Sequence, residues 1–225
     1  MSVRAGRVWI VAAKTFPTDP SWANPTEQAV WERLVEQAPD SWTVIANLVL
    51  SPSPHRPGRA ERRATDREYE VDLLVLMPEL GVVVLEVKGG SVFVDDRGRW
   101  RQGVGLREHG IDPVQQAMDG KYEAREYVER DPRWARPRVR WTHAVVFPDT
   151  VVSPDFSMPD CPRERVHDRG DMPDLAGRLA TLARTTDCDL PVPTVDDCDE
   201  IVRILHGRNL PLRDVVAAAA AREDA

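Results

Sequence analysis

The stretch that decides the fold is Val71–Gly90, VDLLVLMPELGVVVLEVKGG, in which two apolar runs of strand length flank PELG and carry Asp72, Glu86 and Lys88. Val- and Leu-rich runs of this kind read as buried strands, and the Pro and Gly between them mark a tight turn. The segment therefore predicts an antiparallel hairpin of roughly Glu70–Met77 and Val82–Lys88. A charge taken out of water costs several kcal/mol unless it is paired or bound to a metal, so the three charges need a reason. Reversal of the chain about Glu79 brings Asp72 opposite or next to Glu86, with Cβ atoms about 5 Å apart. Glu86 and Lys88 are two apart on one strand, so they leave the same face and the lysine sits beside the acidic pair. Two convergent carboxylates make half a cage for a hard divalent cation such as Mg²⁺. Lys88 then has two available jobs. It can neutralise the acids in a strand-end ion pair, or it can orient a water and stabilise charge developing on a phosphate.

Working outward, NPTEQAVWERLVEQA predicts a helix with Asn24 as N-cap, Pro25 at its first position and Glu27 three residues after the cap. Glu27 either closes a capping box or turns inward, since it shares a stripe with Val30, Trp31, Leu34 and Ala38. A short strand around Val8–Ala12 precedes this helix and WTVIANLVL follows it as another strand. Beyond the hairpin, SVFVDD turns at DRG into RWRQ, and DPVQQAMDGKYEAREYVER predicts a second helix capped by Asp112 with Pro113 behind it. RVRWTHAVVFP is a further strand, in which His143 reads as a core histidine, while His55 and His109 lie in polar loops. In the last third, DMPDLAGRLATLAR and TVDDCDEIVRILHG are amphipathic helix candidates, the second with Thr194 as cap and Gly207 as stop. TTDCDLPVP links them, and LPLRDVVAAAAAREDA closes the chain as a helix-prone tail.

With 225 residues, 42% of them hydrophobic, the chain can bury a substantial core. Its apolar runs fall short of the ~20 residues that span a bilayer, and MSVRAGRVWIVAAKTFP has too brief an apolar run for a secretory signal. Cys161, Cys188 and Cys198 are odd in number and lack C-x-x-C spacing, which argues against a disulfide framework and a zinc site. These features predict a cytoplasmic protein with no membrane partner. The net charge of −7 speaks against nucleic acid until its distribution is read. Residues 1–49 carry 4 basic and 5 acidic groups, residues 50–145 carry 17 and 16, and residues 146–225 carry 9 and 16. The acidic excess is thus C-terminal, and HRPGRAERRATDR concentrates Arg56, Arg59, Arg62, Arg63 and Arg67 in one Pro- and Gly-containing loop. That loop is either a solvated segment or one able to follow a phosphate backbone. There is no G-x-x-x-x-G-K-[ST] run, so the sequence has no phosphate loop of its own.

Taken together, YEVDLLVL with Asp72, VVVLEVKGG with Glu86 and Lys88, NPTEQAVWERL with Glu27, DPVQQA with Gln116, and the strand THAVVFP resemble the PD-(D/E)XK nuclease superfamily. Within it they are similar to the nuclease-related domain (NERD) family. The resemblance spans about Asn24 to Pro148 and departs from the family pattern in having NPTEQ where Gly-Glu is more usual; DPVQQ offers both Gln115 and Gln116. It implies an α/β, restriction-endonuclease-like core with a central mixed β-sheet flanked by helices. Residues 1–185 would form this domain and residues 186–225 a C-terminal helical extension or linker. It further implies a metal-dependent nuclease in which Asp72, Glu86 and Glu27 bind Mg²⁺ or Mn²⁺, Lys88 positions the attacking water, and Gln116 completes the site. DNA, single- or double-stranded, is the implied partner in repair, processing or defence against foreign DNA, with Arg56, Arg59, Arg62, Arg63, Arg67 and Lys121 as candidate phosphate contacts. The C-terminal part resembles the junction at which a NERD domain precedes a superfamily 1 helicase, so a helicase domain or subunit is a further implied partner. The reading from another class is a nucleic-acid-binding or scaffolding module that keeps the fold with little cleavage.

Overall fold

A computed structural model describes residues 12–50 and 69–209. The strand expected at Val8–Ala12, the arginine-rich loop with Arg56, Arg59, Arg62, Arg63 and Arg67, and the C-terminal tail lie outside the described residues, apart from Ala12. The chain runs β1 (Lys14–Phe16), α1 (Pro25–Gln37), β2 (Thr43–Leu50), β3 (Tyr69–Met77), β4 (Gly81–Val87), β5 (Val92–Val94), β6 (Trp100–Gln102), β7 (His109–Gly110), α2 (Pro113–Arg130), β8 (Trp141–Phe147), β9 (Val166–Asp168), α3 (Leu175–Thr185) and α4 (Val195–Asn209).

The hairpin expected from Val71–Gly90 is the centre of the main sheet, ordered β1-β2-β3-β4-β8-β9. β2, β3 and β4 pair antiparallel, while β1 joins β2, β8 joins β4 and β9 joins β8 in parallel. This is the mixed sheet the sequence implies, and its central strands are apolar because both faces are covered. On one face α1 and α3 bring Val30, Leu34, Leu175 and Leu179 against Val75, Val83, Leu85 and Val146. On the other, α2 and α4 bring Ala124, Val128, Ile201 and Ile204 against Leu74, Leu76, Val84 and Trp141. A second sheet, β5-β6-β7, stands beside the main one, and its Val92 and Trp100 share a third apolar cluster with Val114 of α2 and Phe147 of β8.

Local signals account for most boundaries. Asn24 accepts the Thr26 N–H at 2.9 Å and Asp112 caps α2 by accepting the Gln115 N–H at 3.3 Å. Thr194 and Asp197 cap α4 reciprocally, each side chain accepting the other's backbone N–H. Three details differ from the expectation. The left-handed position of the PELG turn is Glu79, φ 63°, while Gly81 already belongs to β4. Helix α4 continues through Gly207 to Asn209, because a helix tolerates an internal glycine at a cost of about 1 kcal/mol. Two short strands, β7 and β9, carry too few residues to show a pattern of two.

β2 and β3 also do not alternate regularly throughout. Ala46 and Leu73 pair and face α1 and α3, whereas Leu48 and Val71 pair and face α2 and α4. Residues two apart on a regular strand share a face, so both strands change face between these pairs. The residues at the change are Asn47, with φ 52°, and Asp72. Asn47 is held there by an amide hydrogen bond to the Ser21 carbonyl at 2.7 Å.

Candidate active site

The hairpin ladder ends at Leu73–Leu85, so the next residues in register are Asp72 and Glu86. At that point the Asp72 carboxylate takes over, accepting the Val87 N–H at 2.7 Å. Asp72 is 8% exposed and Glu86 4%. Lys88 Nζ lies 2.5 Å from Glu86 Oε1, and the Lys88 N–H donates to the Val146 carbonyl at 3.0 Å, which extends the β4–β8 pairing to the lysine. The three residues of the opening stretch therefore meet at one place, where two parallel strands and the distorted end of β3 come together.

Gly89 brings the first turn of α1 to this place. A Cβ on Gly89 would stand 2.4 Å from Thr26 Oγ1, so only glycine permits the approach. Glu27 follows Thr26, and its carboxylate accepts a hydrogen bond from the Asn24 amide at 2.7 Å. Thus Glu27 is tied into the helix cap and is also close enough for its charge to act on Asp72, Glu86 and Lys88. Among the described residues no group of three or more His, Cys, Asp or Glu side chains comes together as a metal cage, so Glu27 does not join Asp72 and Glu86 as a third close ligand here.

The electrostatics follow from three acids sharing one lysine. Burial, and then the charge of Glu86, push the Asp72 carboxyl up to about 8 against the opposing Val87 N–H. Burial also raises Glu86, with Lys88 opposing and Glu27 and Glu70 adding to it, and burial raises Glu27 despite its bond to Asn24. For Lys88, burial works against the charge, but Glu86, Asp72 and Glu27 outweigh it and hold the ammonium above its ordinary range. The site has one cation against three acids, and its carboxylate oxygens are hard donors. These are the properties a divalent cation such as Mg²⁺ or Mn²⁺ matches.

On the other side of Lys88 lies a cleft of about 670 Å³ between the small sheet and the start of α2, lined by Lys88, Gln102, His109, Gln115 and Gln116 among others. Gln115 is tied to Asp119 at 3.0 Å, whereas the Gln116 amide makes no hydrogen bond among the described residues. His109, expected in a loop, belongs to β7 and lines this cleft; Gln102 donates to the Gly89 carbonyl at 2.7 Å. Neither was read as a site residue from the sequence. The one available signal was Gln102 following the buried Trp100 by two, on the same face of its strand.

Lys121 is placed differently from the surface position expected of a lysine. It is 8% exposed, with Nζ 4.2 Å from the Tyr122 ring centre, and burial together with Arg165 and Arg125 lowers it to about 8. His143 is a satisfied core histidine, as expected: Arg165 Nη1 donates to its Nε2 at 3.0 Å, and burial lowers its pKa to about 3.

A second acidic cluster went unread in the sequence. Asp168, at the end of β9, accepts the N–H groups of Val152 (2.7 Å) and Gly170 (2.8 Å), and Arg163 lies 3.4 Å away. Asp171 accepts from the Asp168 N–H and from Arg163, both at 3.1 Å, and faces Arg178 at 3.4 Å.

The mixed sheet with helices on both faces, and an acid-acid-lysine set at its centre, define a nuclease-like α/β protein. The family model of the nuclease-related domain, NERD, matches residues 22–148, more than half of the chain. The chain belongs to this family. Comparisons with curated proteins and with solved structures give no significant match. Among the described residues no helix is long and apolar enough to cross a membrane.

Proposed function

We propose that the protein is a divalent-metal-dependent nuclease that hydrolyses phosphodiester bonds of DNA, with Asp72, Glu86 and Lys88 at the centre of its chemistry. The observation that supports this most directly is the under-neutralised buried pair, Asp72 and Glu86, held on rigid central strands beside a protonated lysine. Asp72 and Glu86 would hold Mg²⁺ or Mn²⁺, Glu27 would support it from α1, and waters and substrate oxygens would complete its shell. When bound, the metal supplies polarisation of the phosphoryl oxygens and a more acidic water.

The chain's own residues account for the rest. Lys88 keeps its proton, so it acts as a cation and donor, not as a general base. One of its three N–H groups is committed to Glu86, and the others, with no partner among the described residues, would hold the attacking water and an oxygen of the phosphate as charge builds. The Val87 N–H fixes the Asp72 carboxylate so that its second oxygen remains a ligand. Gln116, with a free amide facing the same cleft, would orient the substrate. DNA is the proposed substrate, and a helicase domain or subunit the proposed partner.

The test is cleavage of single- and double-stranded DNA with Mg²⁺, with Mn²⁺ and with chelator, comparing the native chain with Lys88→Ala and Asp72→Ala at matched folding. Loss of cleavage in both variants and with chelator is expected. Equal cleavage by all three proteins would sink the proposed site, and DNA binding without cleavage by the native chain would leave a binding module.

A further inference from the structure

The small sheet carries a feature that metal-assisted hydrolysis does not use. The loop from β6 to β7, residues 103–108, ends on both sides in residues that line the cleft beside Lys88, namely Gln102 and His109. At its tip Leu106 is 108% exposed and Val104 74%, the two most exposed large apolar side chains among the described residues. A lone exposed leucine needs no explanation, but two at one loop tip over a polar cleft do.

The loop is also built to hold its shape. Gly103, φ 101°, packs so closely that a Cβ would stand 2.5 Å from the Arg107 carbonyl. The Arg107 and Glu108 N–H groups donate to the Val104 and Gly105 carbonyls at 3.3 and 3.1 Å, and Arg101 pairs with Glu108 at 3.0 Å. The apolar tip is therefore presented by a fixed turn.

Charge and hydrogen bonding identify the occupant. Arg99 and Arg101 are committed to Asp95 and Glu108, while Arg97 and Arg107 have no acidic partner among the described residues. Arg107, within the loop itself, suits a phosphate backbone flanking a base step, whereas Arg97 sits in the β5–β6 turn at the other end of the small sheet. Inside the cleft, Asp112 and Asp119 would repel phosphate, whereas the Gln116 amide and His109 suit the edge of a base. The His109 Nδ1–H is turned to the Arg107 carbonyl at 3.2 Å, which leaves Nε2 for a ligand. A volume of about 670 Å³ lies in the range of small-molecule pockets, ~300–1,000 Å³.

Building on the nuclease reading above, we propose that Val104 and Leu106 form a wedge that unstacks DNA next to the scissile phosphate, and that the cleft beside Lys88 receives the displaced base. Apolar side chains inserted at a base step pay for unstacking with the new contacts they make. The substrate would be a strand leaving the stack at an end or junction.

The test places 2-aminopurine at successive positions of a tailed duplex in metal-free buffer, with binding followed separately by anisotropy. The native chain should raise the fluorescence several-fold at one or two positions near the junction. Val104→Ser with Leu106→Ser should abolish that rise while single-strand binding persists, and Leu106→Phe should retain it. An unchanged rise in the double serine variant, no rise at any position of a bound duplex, or no DNA binding at all would overturn the proposal. A native chain that unstacks DNA but never cuts it would support the wedge and remove the nuclease reading; cleavage lost with Lys88→Ala, without any unstacking, would do the reverse.

Discussion

Two buried acidic clusters sit at strand ends of the same sheet, and they are built in opposite ways. Around Asp168 and Asp171, backbone N–H groups and the guanidinium groups of Arg163 and Arg178 converge on the carboxylates. Burial pushes the Asp171 carboxyl up, but the Asp168 N–H, Arg163 and Arg178 outweigh it and hold it below the ordinary range. Around Asp72 and Glu86 there is one backbone N–H and one lysine, and both carboxyls are raised. Asp168 is as buried as Asp72 and Glu86, so burial does not mark the site. What separates them is whether the protein itself supplies enough donors and positive charge. The first cluster is electrostatically complete and closes a turn; the second is short of positive charge, which the proposed metal would supply.

The comparison is most exposed to the loss of each cluster in turn. Lys88→Ala or Asp72→Ala should lower DNA cleavage by about 10²–10³-fold or more, while Asp171→Ala should leave the rate per folded molecule unchanged. A comparable catalytic loss in Asp171→Ala would break the distinction. Stability should respond the other way round. Asp171→Ala removes the acceptor of the Asp168 N–H and one of the partners of Arg163, which keeps Asp168 and the Val166 carbonyl, and should cost about 1–3 kcal/mol in urea unfolding. Asp72→Asn removes an under-compensated buried charge and should gain about 1–2 kcal/mol at pH 8 without metal.

The pH dependence sharpens this further. Folding raises the Asp72 pKa from its ordinary 3.8 to about 8, so between these values the folded chain holds a proton that the unfolded chain has released. The unfolded state binds fewer protons there, and the metal-free unfolding free energy should therefore fall as pH rises through that window. Glu86 and Glu27, also raised, act in the same sense. Asp171 is lowered, so its contribution is present above its ordinary 3.8 and lost as the pH falls. Denaturation curves should show Asp72→Asn flattening the slope toward pH 8, and saturating Mg²⁺ should stabilise the native chain there but not that variant. The smallest effect concerns the arginine-rich loop outside the described residues. Arg62→Glu with Arg63→Glu should reduce the slope of log affinity for DNA against log salt by about 1–2; an unchanged slope would remove those residues from the interface.

Much of this was legible in the residues. The hairpin, the Asn24, Asp112 and Thr194 caps, and the meeting of Asp72, Glu86 and Lys88 all follow from local rules, because turn chemistry and a period of two fix which side chains share an end of a strand pair. Gln116 and Gln115 could not be separated by spacing; a single hydrogen bond to Asp119 commits one and leaves the other free. The Asp168 cluster escaped notice although Arg163 and Arg178 lie close along the chain, because β9 is too short to show a period and no spacing rule says that a turn before it and a helix after it aim their arginines at one acid pair.

The sequence by itself thus determined the central hairpin, its charges and the family, since these depend on neighbours close along the chain. Tertiary structure decided how those charges are aimed and balanced. Asn47 and Asp72 mark a change of face that neither strand shows alone, and Gly89 matters only because α1 folds back onto it. The cleft beside Lys88 needs the small sheet and α2 together. Burial and electrostatic balance are sums over everything packed around a group, and no single stretch of sequence contains them.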